Sequence, residues 1–227
     1  MPPSRIGRRR VAAAMQAPDT AGVVVTTCRW AIEDGFDGRE PMATAVTDTR
    51  YTPEDLLALP DKGRYELIDG QLVERNMGAT SSYVAARLLR LLGLATDAQA
   101  LGLLFGSNCG YQIFADDPSR IRYADGSFIR RGRLSGDTPP EGHCHIPPDL
   151  AIEAVSPNDR ARAVEEKNEQ WLAAGVRLVW VLYPDTRRLH VHRYDGTVSK
   201  LRSDDMLSVE DVAPGFQCRG AEIFQGL

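Results

Sequence analysis

Two carboxylates stand on one face of an otherwise apolar run. Residues 147–155 read PPDLAIEAV and are closed by Ser156-Pro157. Two prolines stop the preceding loop. The short apolar run from Leu150 to Val155 has the length of a buried strand. Side chains alternate faces along a strand. Asp149, Ala151, Glu153 and Val155 therefore share one face, and Leu150, Ile152 and Ala154 share the other. A buried carboxylate is costly unless it is paired or binds a metal. Glu153 is thus the residue most in need of a partner. The next segment supplies one. A helix is expected after the strand, with Ser156 or Asn158 as cap, Pro157 in the first turn and Gly175 at its end. On a 3.6-residue period Val164 and Trp171 form its apolar stripe. Lys167 falls at the edge of that stripe, where it can turn back toward the sheet. A strand acid facing a helix lysine is a candidate catalytic pair.

Other acids have similar settings. Residues 64–75, RYELIDGQLVER, alternate around Asp69-Gly70, the signature of a hairpin. Glu66 stands on the opposite face from Tyr65 and Leu67, either as a solvated strand residue or as a carboxylate lining a cleft. Residues 121–131, IRYADGSFIRR, read as a strand with Asp125 in its middle. Asp125-Gly126 is either a turn, or Asp125 is a strand carboxylate near Glu153. His143-Cys144-His145 and the pair His190 and His192 have metal-ligand chemistry. Neither pair carries a third shared ligand in its spacing.

The remaining elements frame these residues. Thr52-Pro53-Glu54-Asp55 opens a short helix with its cap, its first-turn proline and its acids at the positive end. Residues 80–100 form an amphipathic helix on Val84, Leu88, Leu91, Leu92 and Ala95, with Arg87 and Arg90 outside the stripe. Residues 101–105 and 110–115 read as strands. Residues 176–183 form a continuous apolar run, read as a central strand directly after the lysine helix. Residues 189–194 and 197–201 flank Asp195-Gly196 as a second hairpin.

Bulk properties bound the function. The 227 residues are 43% hydrophobic and 26% charged, with a net charge of -4. This is the profile of an ordinary globular chain. A mildly acidic body is not the electrostatic footprint of a strong nucleic-acid binder, although a metal site brings its own positive charge. There is no apolar run long enough for a membrane span, and a cytoplasmic protein is expected. The four cysteines are widely spaced and are expected as free thiols. Residues 1–45 are expected to be a weakly ordered extension and residues 46–227 the domain. The extension carries a basic tip, Arg8-Arg9-Arg10, and a more regular segment starts at Met42. Either the tip is a nucleic-acid-binding tail or the natural start lies at Met42.

Taken in order, YELIDGQLVE, the strand around Asp125, PPDLAIEAVSPND, the helix with Lys167, and GVRLVWVLYP followed by RLHVHRYDG are similar to the Uma-two family, over about residues 51–224. The resemblance implies an α/β protein with the restriction-endonuclease-like fold of the PD-(D/E)XK type. That fold is a mixed central sheet flanked by helices, here with extra hairpins. It implies an endonuclease acting on DNA with Mg²⁺, or Mn²⁺ in its place. Asp125 then matches the first-strand aspartate, Glu153 the second-strand acid, Lys167 the lysine, and Glu66 the upstream acid. Asp125, Glu153 and Glu66 are the implied metal ligands. A homodimer is implied by analogy, since two cuts need two sites. The chain departs from the family pattern at Ala124, where proline is usual, at Ser81, where a histidine is common, at Ala154 for valine, and at Tyr183 for the aspartate of a DP turn. Two rival readings stand beside this one. One is a nuclease-fold binding or regulatory module whose acidic cluster is a relic. The other is a metal-binding protein built on the histidine pairs.

Overall fold

The computed structural model describes residues 49–76, 78–209 and 211–227. The expectations for residues 1–45, including the basic tip and Cys28, lie outside the described residues. In chain order the strands are β1 (Tyr65–Ile68), β2 (Gln71–Glu74), β3 (Gly102–Gly106), β4 (Gly110–Tyr111), β5 (Arg122–Tyr123), β6 (Gly126–Arg130), β7 (Leu150–Ala154), β8 (Leu178–Tyr183), β9 (Arg188–Arg193), β10 (Val198–Leu201), β11 (Met206–Ser208) and β12 (Gln217–Arg219). The helices are α1 (Pro53–Ala58), α2 (Ala79–Ala98), α3 (Ala161–Ala173) and α4 (Gly220–Ile223). None of the described helices is long and apolar enough to cross a membrane.

The main sheet has six strands in the order β10-β9-β8-β7-β6-β3. β7 and β8 run parallel, and every other neighbouring pair is antiparallel. The parallel pair is the one joined by a helix, because a parallel neighbour cannot be reached by a tight turn. The alternation along β7 is kept. Leu150, Ile152 and Ala154 pack with Val84, Leu88 and Leu92 of α2 on one side. Ala151 packs with Trp171 of α3 and with Val179 and Val181 of β8 on the other. The sheet is therefore mixed and covered by a helix on each face, as the family resemblance implies. A smaller cluster, Leu56, Leu67, Ile121 and Tyr123, ties α1 and the β1–β2 hairpin to β5. Thr52 and Asp55 close the expected capping box at the start of α1.

Three elements differ from the sequence reading. Residues 121–131 are not one strand. β5 pairs with β4, the chain bends at Ala124 and Asp125, and β6 joins the main sheet. The strand expected at 110–115 stops at Tyr111, because its partner β5 is only two residues long. The lysine helix starts at Ala161, later than Ser156 or Asn158 would set it. The Asp159 carboxylate takes the Ser156 N–H at 2.6 Å, and the Ser156 hydroxyl pairs with Ser81 Oγ at 2.9 Å. Those bonds hold residues 156–160 in a turn. The end is as expected, with Gly175 at φ +95°, a left-handed conformation that glycine adopts freely.

Candidate functional site

The bend at Asp125 builds the site. β6 and β7 pair Gly126 with Ile152 and Ser127 with Ala151. The regular register ends there, and Asp125, at the bend one residue earlier, donates its N–H to the Ile152 carbonyl at 2.9 Å. Of the two readings of Asp125-Gly126 neither holds in full: the strand stops, Asp125 is the bend just before β6, and its carboxylate still enters the cleft beside Glu153. Asp125 Oδ2 accepts the Ala154 N–H at 2.8 Å, and Oδ1 lies 3.4 Å from the Arg75 guanidinium. Arg75 is itself held by the carbonyls of Gly63 at 3.0 Å and Ser107 at 2.8 Å.

Glu153 lies on the α3 side of β7 and is only 8% exposed. Trp171 Nε1 donates to one of its oxygens at 2.7 Å, and Lys167 Nζ donates to the other at 3.0 Å. Lys167 reaches back to the sheet as its place on the helix edge allows. Its ammonium also donates to the Tyr123 carbonyl at 2.8 Å and stands 3.1 Å from Glu66. Glu66 arrives from β1, carried to β5 by the bridge between Leu67 and Ile121. One Glu66 oxygen takes Arg122 at 2.6 Å, and the other takes the Tyr123 N–H at 3.1 Å. Arg122 is oriented in turn by Gln170 of α3. Glu66, Asp125, Glu153 and Lys167 thus line one cleft, together with Arg75, Arg122 and Asn168, of about 270 Å³.

The carboxylates are not equivalent. Burial pushes Glu153 up to about 7, Lys167 opposes the rise, and the nearby charges of Asp125 and Glu66 add to it. Burial would raise Glu66 too, but Lys167, Arg122 and the Tyr123 N–H overcome it and hold the group at about 2. Burial alone would lower Lys167; the charges of Glu153, Glu66 and Asp125 outweigh it and keep the ammonium charged.

Mg²⁺ takes oxygen ligands and is commonly held by one or two carboxylates plus waters. Asp125 and Glu153 offer that set, and their mutual repulsion is what a cation would relieve. Glu66 differs in its cationic partners: it has both Lys167 and Arg122, whereas Glu153 has Lys167 alone and Asp125 meets a guanidinium only at 3.4 Å. Among the described residues no three His, Cys, Asp or Glu side chains converge as a closed metal cluster. Asp125 and Glu153 thus present the carboxylate pair that such a cation takes, and Glu66, the third implied ligand, is ion-paired with Lys167 and Arg122.

Other candidates sit elsewhere. Asp149, just before β7, meets Arg130 at 3.0 Å and Arg133 at 2.7 Å, outside the cleft. His143 Nε2 faces the Pro53 carbonyl at 3.2 Å, and the Cys144 thiol donates to Ile146 O. His190 and His192 stand side by side on β9, with Tyr183 against His190. Cys109, Cys144 and Cys218 are free thiols. Ser81 is buried and bonded to Ser156. Sequence reasoning missed Arg75, Arg122 and the indole N–H of Trp171. Trp171 was visible as a stripe residue. Its bond to Glu153 follows only from how α3 lies on β7.

A family model, Uma2, described as "Putative restriction endonuclease", matches residues 53–221. A crystal structure from Anabaena variabilis, titled as "a putative nuclease belonging to DUF820", superposes with a TM-score of 0.64 at 19% identity, covering 76% of this chain and 97% of that one. At that identity the match speaks for the fold. No curated protein matches the chain.

Proposed function

The chain belongs to the Uma2 family, and on that premise we propose that it is a metal-dependent endonuclease hydrolysing DNA phosphodiester bonds. The observation that carries the proposal is the Lys167 ammonium held at 3.0 Å from Glu153 and 3.1 Å from Glu66, in the cleft that Asp125 also lines. A lysine anchored among acids on a mixed sheet suits phosphoryl chemistry. Its charge is fixed in place before the reaction, where it meets negative charge developing on the phosphate.

Asp125 and Glu153 would hold the cation. When bound, Mg²⁺ lowers the pKa of a coordinated water and offsets charge on the phosphate. The protein's own groups do the rest. Trp171 Nε1 fixes the rotamer of Glu153. Glu66 anchors both Lys167 and Arg122 in the cleft wall. The Tyr123 carbonyl takes one ammonium proton, which fixes the direction in which Lys167 presents its charge.

The test is cleavage of supercoiled plasmid and of branched DNA with Mg²⁺ or Mn²⁺. A closed circle has no ends, so cutting it is endonucleolytic. Metal-dependent cutting is expected from the wild type and is expected to vanish in Glu153→Ala and Lys167→Ala. No cutting by the wild type on any substrate, with no divalent cation bound by calorimetry, would overturn the proposal.

A further inference from the structure

The cleft runs from Lys167 and Glu153 outward to the start of α3. Asn158, Asp159 and Arg160 line that outer end. Arg160 is the N-cap of α3 in an extended conformation, its side chain caps nothing, and the first turn of the helix carries no acid. Among the described residues neither the Arg160 guanidinium nor the Asn158 amide has a partner. Asp159 is already committed, to the Ser156 N–H at 2.6 Å and to Asn76 at 2.7 Å. The first N–H groups of a helix have no intrahelical acceptor, and they favour anions. A free guanidinium and unsatisfied donors thus stand at one end of the cleft.

A second observation comes from further along the same helix. Asn168 is 1% exposed and lines the same cleft, yet neither its Oδ1 nor its Nδ2 has a hydrogen-bond partner. Leaving a buried polar atom unpaired costs about 1–3 kcal/mol. The other described side chains with an orphaned buried atom are Arg120, Trp180 and His192, and none of them lines the cleft. Asn168 carries the cost on both halves of its amide, and it borders the cleft.

We propose that this wall is a nucleotide subsite, in which Arg160 and the α3 N-terminal N–H groups hold the phosphate next to the one being cut, and Asn168 pairs with the nucleotide between them. The inference rests on the nuclease reading above and deepens it. Lys167 follows Arg160 by seven residues, a rise of about 10 Å along the helix, which leaves room for a nucleotide between two phosphates. A phosphate only accepts hydrogen bonds, whereas an amide both donates and accepts. A base or sugar edge satisfies both halves of Asn168, and a bare phosphate does not. Val155, Ala163 and Val164 give the same cleft an apolar side suited to the face of a base.

The experiment measures binding of a fluorescein-labelled single-stranded oligonucleotide in Ca²⁺ across a salt series, and steady-state cleavage in Mg²⁺. Arg160→Gln is expected to flatten the slope of log affinity against log salt by about 0.7, the value for one phosphate contact on a single strand. It should raise KM several-fold with kcat little changed. Arg162→Gln is the control, since Arg162 is exposed, bonded to Glu166 and outside the cleft; slope and KM should stay at wild-type values. Asn168→Leu should raise the melting temperature, by removing the orphaned amide, and should weaken binding about tenfold, the equivalent of one lost hydrogen bond. A wild-type slope and KM in Arg160→Gln, from an enzyme that binds and cuts, would overturn the subsite and leave the nuclease reading intact. Undiminished affinity in Asn168→Leu would remove the amide's role. A wild type that neither binds nor cuts overturns both readings.

Discussion

Glu153→Gln is the most informative single change, because its effect on stability should reverse the ordinary expectation for a site residue. In the folded protein Glu153 titrates at about 7, against an ordinary value of 4.5. Below pH 4.5 the group is protonated in both the folded and the unfolded chain, and it contributes no pH dependence. Between 4.5 and 7 the unfolded chain gives up the proton while the folded chain keeps it. Folding is then opposed more strongly with each step in pH, until the folded group also ionises near 7. At about 1.4 kcal/mol per unit the full penalty is about 3 kcal/mol. The glutamine carries no such penalty and keeps an oxygen to accept the Trp171 N–H. Metal-free wild type and Glu153→Gln would be unfolded in urea with EDTA at pH 5 and pH 8. The variant is expected to gain about 3 kcal/mol on the wild type between those two pH values. Taking the difference cancels the other groups that titrate in that range, such as His143, His190 and His192, whose burial pushes them down. A difference that is the same at both pH values would refute the reasoning. It would mean that Lys167 compensates the buried carboxylate completely.

The linked prediction is that Mn²⁺ raises the melting temperature of the wild type more at pH 8 than at pH 5, where the ion must displace a proton from Glu153, and that Asp125→Asn abolishes the shift; calorimetry at both pH values checks it. Lys167→Met should abolish cleavage and cost about 3–5 kcal/mol in urea unfolding, since it leaves Glu153 and Glu66 buried without their shared cation. Trp171→Phe should cost about 2 kcal/mol, because the indole N–H bonds a charged group at 2.7 Å, and it should slow turnover without abolishing divalent binding. Asp149→Asn removes a buried charge that two partly exposed arginines, Arg130 and Arg133, bond, and should cost about 1–3 kcal/mol. Because Asp149 lies outside the cleft, the cation-dependent shift should survive that change.

The local rules were legible because they act within a few residues. The alternation of β7, the Asp69-Gly70 turn, the capping box at Thr52, the edge position of Lys167 and the glycine after α3 follow from backbone periodicity and from single-residue φ preferences. The two-faced burial of residues 150–154 was likewise readable, and so was the need of Glu153 for a partner. Where the pattern failed, a longer-range bond had won. Ser156 does not cap α3, because Asp159 and Ser81 claim its donor and hydroxyl first. The strand around Asp125 is cut in two, because β4 and the main sheet compete for it.

Spacing named Glu66, Asp125, Glu153 and Lys167 as candidates, but it did not assign their relations. Glu66 is 101 residues upstream of Lys167 in the sequence, and only the bridge from β1 to β5 brings them within 3.1 Å. The same packing gives Glu66 its second partner in Arg122, and it leaves Asn168 in the cleft wall with none. The sequence by itself determined which residues can carry charge into an apolar layer. The tertiary structure decided which of those charges are matched, because Coulomb and hydrogen-bond energies depend on distance and burial, and neither is set until the helices lie on the sheet.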